Sequence, residues 1–425
     1  MELPRFVEVR QHFPDDGIAD CALAVRNELG RIGAAGSLTS GRSVVIAVGS
    51  RGIDGYEQIV RAAAEYAAGC GSVPVIVPAM GSHAGGTAQS QSEILLDQGI
   101  GAPGFPASLH SCTDTVSLGQ TDLGDEIWFD KTAARADVLI VINRVKAHTD
   151  YEADVESGVA KMLVVGLGKP HGAAEAHRSF RRHGFYPALS AGVRLILAHV
   201  PKVIGIAIVE NESHRSLRIE AIDGPNILAR ESELLLIAKA RMARLPMQMC
   251  DLLVVEEIGK NISGSGMDTN IVSRKSIPAI PSAESLPKIE YIYVRSLSPE
   301  SHGNGVGIGL ADFCGDRALE SIDLEVTYLN CLTSGTPRGA AIPVHLGSDR
   351  KTFEAVCRSL PLRTPQDLRV AWIENTLALD RFFVSEMVLN EPGLDGALQP
   401  MGRPVIFSFD GDGNLTNPFT KSVNR

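Results

Sequence analysis

The chain has 425 residues, of which 44% are hydrophobic and 21% charged, enough for a packed core and more than one domain. Its formal net charge of −10 and its lack of a Lys- and Arg-rich cluster argue against nucleic-acid binding, which depends on clustered cations. The seven cysteines form no CxxC pair, which argues against a zinc ribbon or a disulfide framework and favours a reducing cytoplasm. No apolar run approaches the ~20 residues that span a bilayer, and no signal-like segment is visible, so we expect a cytoplasmic protein that does not contact membranes.

Five short runs rich in β-branched residues predict buried parallel strands, because strands covered on both faces carry continuous apolar residues. A helix is predicted over residues 55–68, where apolar residues recur every three or four positions. This alternation is the βαβ rhythm of a doubly wound fold. The predicted strands cover residues 43–48, 73–77, 138–142, 203–209 and 252–256.

A proline-rich segment, 273–287, contains few strong helix or strand formers and is predicted to be a linker. A new apolar run at 289–294 follows it and begins a second α/β set. Later apolar runs at 369–373 and 405–409 are predicted to be further strands of that set.

The predicted fold is therefore α/β, with two α/β domains, mainly parallel sheets and an active site in the cleft between the domains. The N-terminal domain, residues 1–275, would bind the cofactor and carry the catalytic residues, and the tail 395–425 could complete it. Residues 276–394 would form a smaller C-terminal domain.

The loops that follow the predicted strands carry the polar residues of interest, because ligands of open α/β sheets bind at the carboxyl ends of the strands. Arg51 follows the first strand, His83 the second, His148 the third, and Lys260 the strand at 252–256. A single loop histidine is usually solvated or capping. Two histidines, each directly behind a strand, favour a functional site instead.

Four histidines fall within 36 residues, a density that suggests a metal because imidazole suits nickel, copper, iron and zinc. They are His148, His171, His177 and His183. No HExxH spacing and no nearby cysteine support a site of three or four protein ligands, whereas a metal held mainly by a non-protein ligand needs only one histidine. Lys161 stands among small residues where partial desolvation would make it a nucleophile or an attachment point, the alternative being a surface lysine at a helix start.

The order of these motifs resembles the lactate racemase family, which carries the nickel-pincer nucleotide. The shared order is an Arg turn, then Gly81-Ser82-His83, then Val145-Lys146-Ala147-His148, then Ser157-Gly158 before Lys161, and a downstream histidine. The match covers most of the predicted N-terminal domain.

The resemblance implies a role for each matched residue. The cofactor, nickel bound to pyridinium-3-thioamide-5-thiocarboxylic acid mononucleotide, would be joined covalently to Lys161. Its nickel would bind His177, sixteen residues further on, with His171 as the fallback. His83 and His148 would be the acid and base on opposite faces of the substrate.

Departures from the family pattern surround the cofactor and substrate positions. Arg51 and Ser50 match cofactor-contacting positions of the family's Asp-x-x-Thr-Arg-Pro turn, but Val48 replaces its Asp, Ser50 its Thr and Gly52 its Pro. Ala84 follows the first histidine where the family often has Arg. These changes favour a substrate that is larger or more polar than lactate, such as an aldonic or hydroxydicarboxylic acid.

Lys260 and His302 are predicted to bind the substrate carboxylate and its additional hydroxyls. A glycine-rich run at 303–309 follows, and it is as consistent with a hinge or turn as with an anion-binding nest. Because the Cα–H of a 2-hydroxy acid is hardly acidic, hydride removal with a histidine taking the hydroxyl proton is the favoured reaction.

The predicted activity is that of an isomerase, a nickel-dependent racemase or epimerase of a 2-hydroxy acid. Its partners would be the small-molecule substrate and the proteins that make the cofactor and insert nickel, and the chain could form a homo-oligomer. Two alternatives stay open: a non-catalytic homologue that binds a nucleotide or metal, and a nicotinamide-dependent dehydrogenase, although no strand leads into a GxGxxG sequence.

Overall fold

The computed structural model describes residues 2–50, 52–275, 287–394 and 396–419. The chain forms two compact units, one of Asp15–Met242 and one that joins Met1–Pro14 to Ala243–Arg425. The strands are β1 Phe6–Gln11, β2 Ser43–Val48, β3 Val73–Pro78, β4 Ser108–Leu109, β5 Thr115–Gln120, β6 Glu126–Asp130, β7 Val138–Arg144, β8 Lys202–Glu210, β9 Ser216–Asp223, β10 Met249–Ile258, β11 Lys288–Leu297, β12 Phe313–Cys314, β13 Val344–His345, β14 Val370–Ile373, β15 Arg381–Ser385 and β16 Leu398–Pro400. The helices are α1 Cys21–Arg31, α2 Tyr56–Gly69, α3 Ala88–Asp97, α4 Val159–Lys161, α5 Lys169–His183, α6 Phe185–His199, α7 Ile227–Ala240, α8 Asp316–Ser321, α9 Leu324–Ser334, α10 Asp349–Ser359 and α11 Glu386–Leu389.

The unit Asp15–Met242 is built on a six-stranded sheet with the order β4-β3-β2-β7-β8-β9. Its strands are parallel except for β9, which pairs antiparallel with β8. Alternate residues of β2 enter two different apolar clusters: Val45 and Ala47 pack into one, and Ile46 and Val48 into the other. The sheet is therefore covered on both faces, as the continuous apolar runs predicted.

The other unit contains an eight-stranded mixed sheet with the order β13-β12-β11-β10-β14-β15-β1-β16. The strands from β13 to β14 are parallel, and β15, β1 and β16 add antiparallel. The prediction of two α/β units with mainly parallel sheets is confirmed, and so are the helix at 55–68 and the predicted strands except for 405–409.

The run at 405–409 is not a strand. Within the described part of the chain it makes two isolated bridges, Phe6 to Val405 and Phe409 to Leu415. Its apolar character has another cause, because the ring of Phe407 packs against those of Phe6 and Trp372, with centroids 5.2 Å away in both cases. This segment covers the sheet instead of extending it.

The division of the chain differs from the boundary predicted at 275. Strand β10 pairs in parallel with β11 and with β14, so the residues from 243 onward belong with the later part of the chain. The tail also belongs there, because β16 pairs with β1. Most of the predicted linker, residues 276–286, lies outside the described residues. No helix among the described residues is long and apolar enough to cross a bilayer.

Candidate active site

Two polar loops meet where the neighbouring strands β2 and β3 end. Ser50 follows β2 and His83 follows β3, and these strands pair in parallel, so their carboxyl ends lie at one edge of the sheet. The hydroxyl of Ser50 lies 2.8 Å from Nδ1 of the exposed His83. The serine therefore orients the imidazole of the predicted acid/base residue. Arg51, predicted to contact the cofactor, lies outside the described residues.

The loop that carries His83 is fixed from both sides. The buried amide of Gln91 donates to the carbonyls of Gly81 and His83, at 3.0 and 3.2 Å. Gly81 adopts a φ of 57° and donates its backbone N–H to the carbonyl of Gly166, 3.0 Å away. Because positive φ is rare in residues with a side chain, glycine suits this tight contact. The His83 loop is thereby anchored on the segment that follows Lys161.

For the predicted 2-hydroxy acid racemase activity, a Ser50→Ala substitution is expected to lower kcat by about threefold to tenfold, the cost of one hydrogen bond that orients an imidazole. KM should change little, because the serine acts through His83. Steady-state kinetics of Ser50→Ala beside Ser50→Thr, which retains a hydroxyl, measures this. An unchanged kcat in Ser50→Ala would show that the contact has no part in turnover.

His148 is buried and held in one orientation at the end of β7. Its Nδ1 accepts the backbone N–H groups of Asp150 and Tyr151, at 2.9 and 3.2 Å. Its own backbone N–H donates to the buried carboxylate of Glu156, 2.6 Å away, which in turn pairs with Lys239 of α7 at 2.6 Å. These contacts aim the other ring nitrogen, Nε2, away from its own loop.

Nε2 of His148 contacts Nζ of the half-buried Lys161. Lys161 is the last residue of α4, and a π-helical turn, Met162–Gly166, follows it directly. Such turns are rare and occur often at functional sites. Two residues predicted from separate motifs are thus brought into direct contact.

His177 of α5 has a buried Nδ1 with no hydrogen-bond partner among the described residues. Burial, together with the charges of Lys161 and Arg181, lowers the pKa of His177 to about 4. The ring is therefore neutral at physiological pH, the form that binds metals. The ring thus offers an unpartnered, neutral nitrogen, and the charge of Lys161 affects its pKa. These properties suit a metal that has one protein ligand and is otherwise bound by an organic group.

The fallback ligand, His171, has a different environment. It is exposed, and its ring stands edge-on to Trp128 with centroids 4.6 Å apart. The geometry thus favours His177 over His171. The described part of the chain contains no group of three or more His, Cys, Asp or Glu side chains that could hold a metal by themselves.

The two predicted substrate-binding residues lie in the other compact unit, in loops after β10 and β11. Lys260 donates from Nζ to the carbonyl of Gly264 and from its backbone N–H to the hydroxyl of Ser301, both at 2.8 Å. His302, next to that serine, is exposed and has a φ of 46°. These two residues are therefore close to each other within their own unit.

A buried ion pair that the sequence did not reveal supports the histidine-bearing helix. Lys169, the first residue of α5, is fully buried and pairs with the equally buried Asp130 at 2.9 Å. The same ammonium donates to the carbonyl of Pro78 at the end of β3, 2.6 Å away. It therefore ties the start of the helix that carries His177 to the strand that precedes His83.

A buried carboxyl group, that of Glu231 on α7, contacts the segment that carries Lys161. Its Oε2 accepts the backbone N–H of Ala160 at 2.9 Å. Burial raises the pKa of Glu231 to about 8, against the lowering effect of the Ala160 hydrogen bond. Neither Glu231 nor Glu156 was predicted, because neither belongs to a recognisable motif.

The raised pKa of Glu231 predicts a loss of stability with rising pH. The folded chain keeps this proton up to about pH 8, whereas the unfolded chain releases it near 4.5, so the free energy of unfolding falls as pH rises between these values. From pH 6.5 to 8 the expected loss is roughly 2 kcal/mol, and Glu231→Gln should lack that component. Denaturant titrations of the wild-type protein and Glu231→Gln at the two pH values test this. An equal loss of unfolding free energy in both proteins would contradict it.

Comparisons with known proteins place the fold. No family model matches the chain, and no curated protein matches it. A crystal structure of a protein from Thermotoga maritima is similar, with a TM-score of 0.54 and 10% identity over 87% of this chain and 99% of that one. The lactate racemase apoprotein from Thermoanaerobacterium thermosaccharolyticum is also similar, with a TM-score of 0.48 and 13% identity over 86% of this chain and 92% of that one. At 10% identity, the likeness to the Thermotoga maritima protein is one of fold alone.

Proposed function

We propose that this chain is a racemase or epimerase of a 2-hydroxy acid and works with a nickel-pincer nucleotide joined to Lys161. The observation that carries the proposal is the contact between Nζ of Lys161 and Nε2 of His148, because a group attached to this lysine would lie beside an oriented imidazole. His177, with its orphaned Nδ1, supplies the single protein ligand that the nickel would need.

The difficulty of the reaction lies in the substrate, since the Cα–H beside an ionised carboxylate is hardly acidic. When bound, the cofactor would supply a centre that accepts a hydride from the substrate carbon and returns it. Lys161 and His177 would hold this group, and Ser50 and Arg51 would contact it.

The chain's own contribution is proton transfer at the substrate hydroxyl. In this proposal one of His83 and His148 takes the hydroxyl proton while the other supplies a proton on the opposite face, and the roles exchange for the other enantiomer. Both rings are held by hydrogen bonds at Nδ1, to Ser50 in one case and to backbone N–H groups in the other. These hydrogen bonds fix the orientation of both rings.

The substrate is proposed to be larger or more polar than lactate, such as an aldonic or a hydroxydicarboxylic acid. Lys260 and His302 would bind its carboxylate and additional hydroxyls. The proposal also requires partner proteins that make the cofactor and insert nickel.

The test is turnover of single stereoisomers. Protein co-produced with cofactor-synthesis and nickel-insertion proteins is incubated with one enantiomer of lactate, one 2-hydroxydicarboxylic acid and one aldonic acid, and products are followed by chiral chromatography or NMR. We expect inversion at C2 of a polar substrate without added NAD. Failure to invert any 2-hydroxy acid, with the cofactor demonstrably attached, would refute the proposed activity.

A further inference from the structure

The segment that carries Lys161 begins without a cap of its own. Gly158 precedes α4 and offers no side chain to the backbone N–H groups of the first turn, which lack partners within a helix. The carbonyl of Gly158 is held by the side chain of Asn143, 2.7 Å away on β7. The N–H of Ala160 is satisfied from elsewhere, by Glu231.

Glu231 comes from α7, 71 residues further along the chain, and is completely buried. It lies on the face of α7 that packs into the core with Ile227, Leu234 and Leu235. A carboxyl group in such surroundings is costly unless it is hydrogen-bonded. Its other oxygen, Oε1, is buried and has no hydrogen-bond partner among the described residues.

The position of this unpartnered oxygen explains why residue 158 is glycine. A Cβ atom at Gly158 would lie 1.5 Å from Oε1 of Glu231 and 3.2 Å from Cγ2 of Val145. The backbone there is extended, with a φ of 173°, so any residue could adopt it. The obstacle to a side chain at this position is the carboxyl group itself.

We propose that Glu231 is a positioning residue that sets Lys161 beside His148, and that position 158 is glycine in order to admit its carboxyl group. Glu231 holds the N–H of Ala160, and Lys161 is the next residue, so the start of α4 fixes where Nζ meets the imidazole. The role of Lys161 in this inference rests on the proposed function.

The test measures the Lys161–His148 contact in protein without cofactor. Lysine has a much higher pKa than histidine, so Lys161 is an ammonium in the pH range where His148 titrates. A neighbouring ammonium disfavours the protonated imidazole and lowers its pKa. Displacing Lys161 should therefore raise the pKa of His148. NMR titration of histidines labelled with ¹³C at Cε1 measures this pKa, and the His148 signal is assigned by its loss in His148→Gln. Lys161→Met gives the full shift, which we expect to be roughly one pH unit or more.

Glu231→Ala and Gly158→Ala should raise the pKa of His148 in the same direction as Lys161→Met. Glu231→Gln keeps an acceptor for Ala160 and should titrate like wild type, which separates positioning from general loss of structure. The charged neighbours of His148, namely Asp150, Glu156 and Lys239, are the same in every variant.

The two sites should also be coupled in stability. In Gly158→Ala/Glu231→Ala the added methyl group occupies room that the carboxyl group has left, so the double variant should lose less stability than the two single losses combined. If Glu231→Ala does not fold, Gly158→Ala and Glu231→Gln still decide the question.

The inference would be overturned if the pKa of His148 equalled the wild-type value in both Glu231→Ala and Gly158→Ala, while Lys161→Met raised it. The result is independent of the proposed activity, because no cofactor is present. Failure of the wild-type protein to acquire a cofactor would count against the proposed function and would leave the positioning of Lys161 intact.

Discussion

Replacing His148 with alanine is expected to lower kcat for inversion of the substrate by at least about 100-fold, the contribution of a positioned general acid or base. His83→Ala should have an equally large effect in both reaction directions, because each direction requires a proton acceptor on one face and a donor on the other. Cofactor attachment at Lys161 should persist in both variants, so the loss falls on turnover.

The matched control is His199→Ala. His199 is also a histidine, but it is exposed at the end of α6 and bonded to the carbonyl of Leu195. Its replacement should leave kcat unchanged. If either His83→Ala or His148→Ala keeps most of its activity, the assignment of that residue as acid or base is wrong.

Replacing Lys161 with methionine is expected to abolish both the covalent adduct and turnover. The methionine keeps the apolar stem but has no amine for attachment, so the folded protein should form and remain without cofactor. Nickel content should fall with it, because His177 alone is a weak site compared with a chelating organic group. Intact-mass measurement and metal analysis of the purified variant give both results.

Lys351→Met serves as the control for losing a lysine, since Lys351 is exposed on α10 in the other unit. It should carry the same adduct and the same nickel as wild type. A full adduct on Lys161→Met would place the attachment elsewhere and remove the basis for His148 as its neighbour.

The fold could be predicted wherever a strand is buried on both faces, because its apolar residues are then continuous. That condition holds for β2, whose neighbouring residues enter opposite clusters. The division of the chain could not be predicted in the same way. It depends on which strands pair, and β1 pairs with β15 and β16 from the far end of the sequence.

The candidate site could be predicted where its residues follow strands, because the carboxyl ends of parallel strands converge. The loop positions of His83 and His148 were predicted from that rule and from motif order, whereas the contact of His148 with Lys161 was not predicted. Glu231 and Lys169 escaped prediction because their partners, Ala160 and Asp130, are distant in sequence. Those pairs form where α7 packs on α4 and where α5 packs on β6.

The central claim is that Lys161 holds a nickel-bearing nucleotide. Peptide mass mapping with nickel analysis, on wild-type protein co-produced with the cofactor-making enzymes, tests it most directly. The expected result is a sulfur-rich adduct on the peptide that contains Lys161, with about one nickel per chain. An unmodified Lys161 in protein that nonetheless inverts a 2-hydroxy acid, or that binds NAD reversibly, would contradict it.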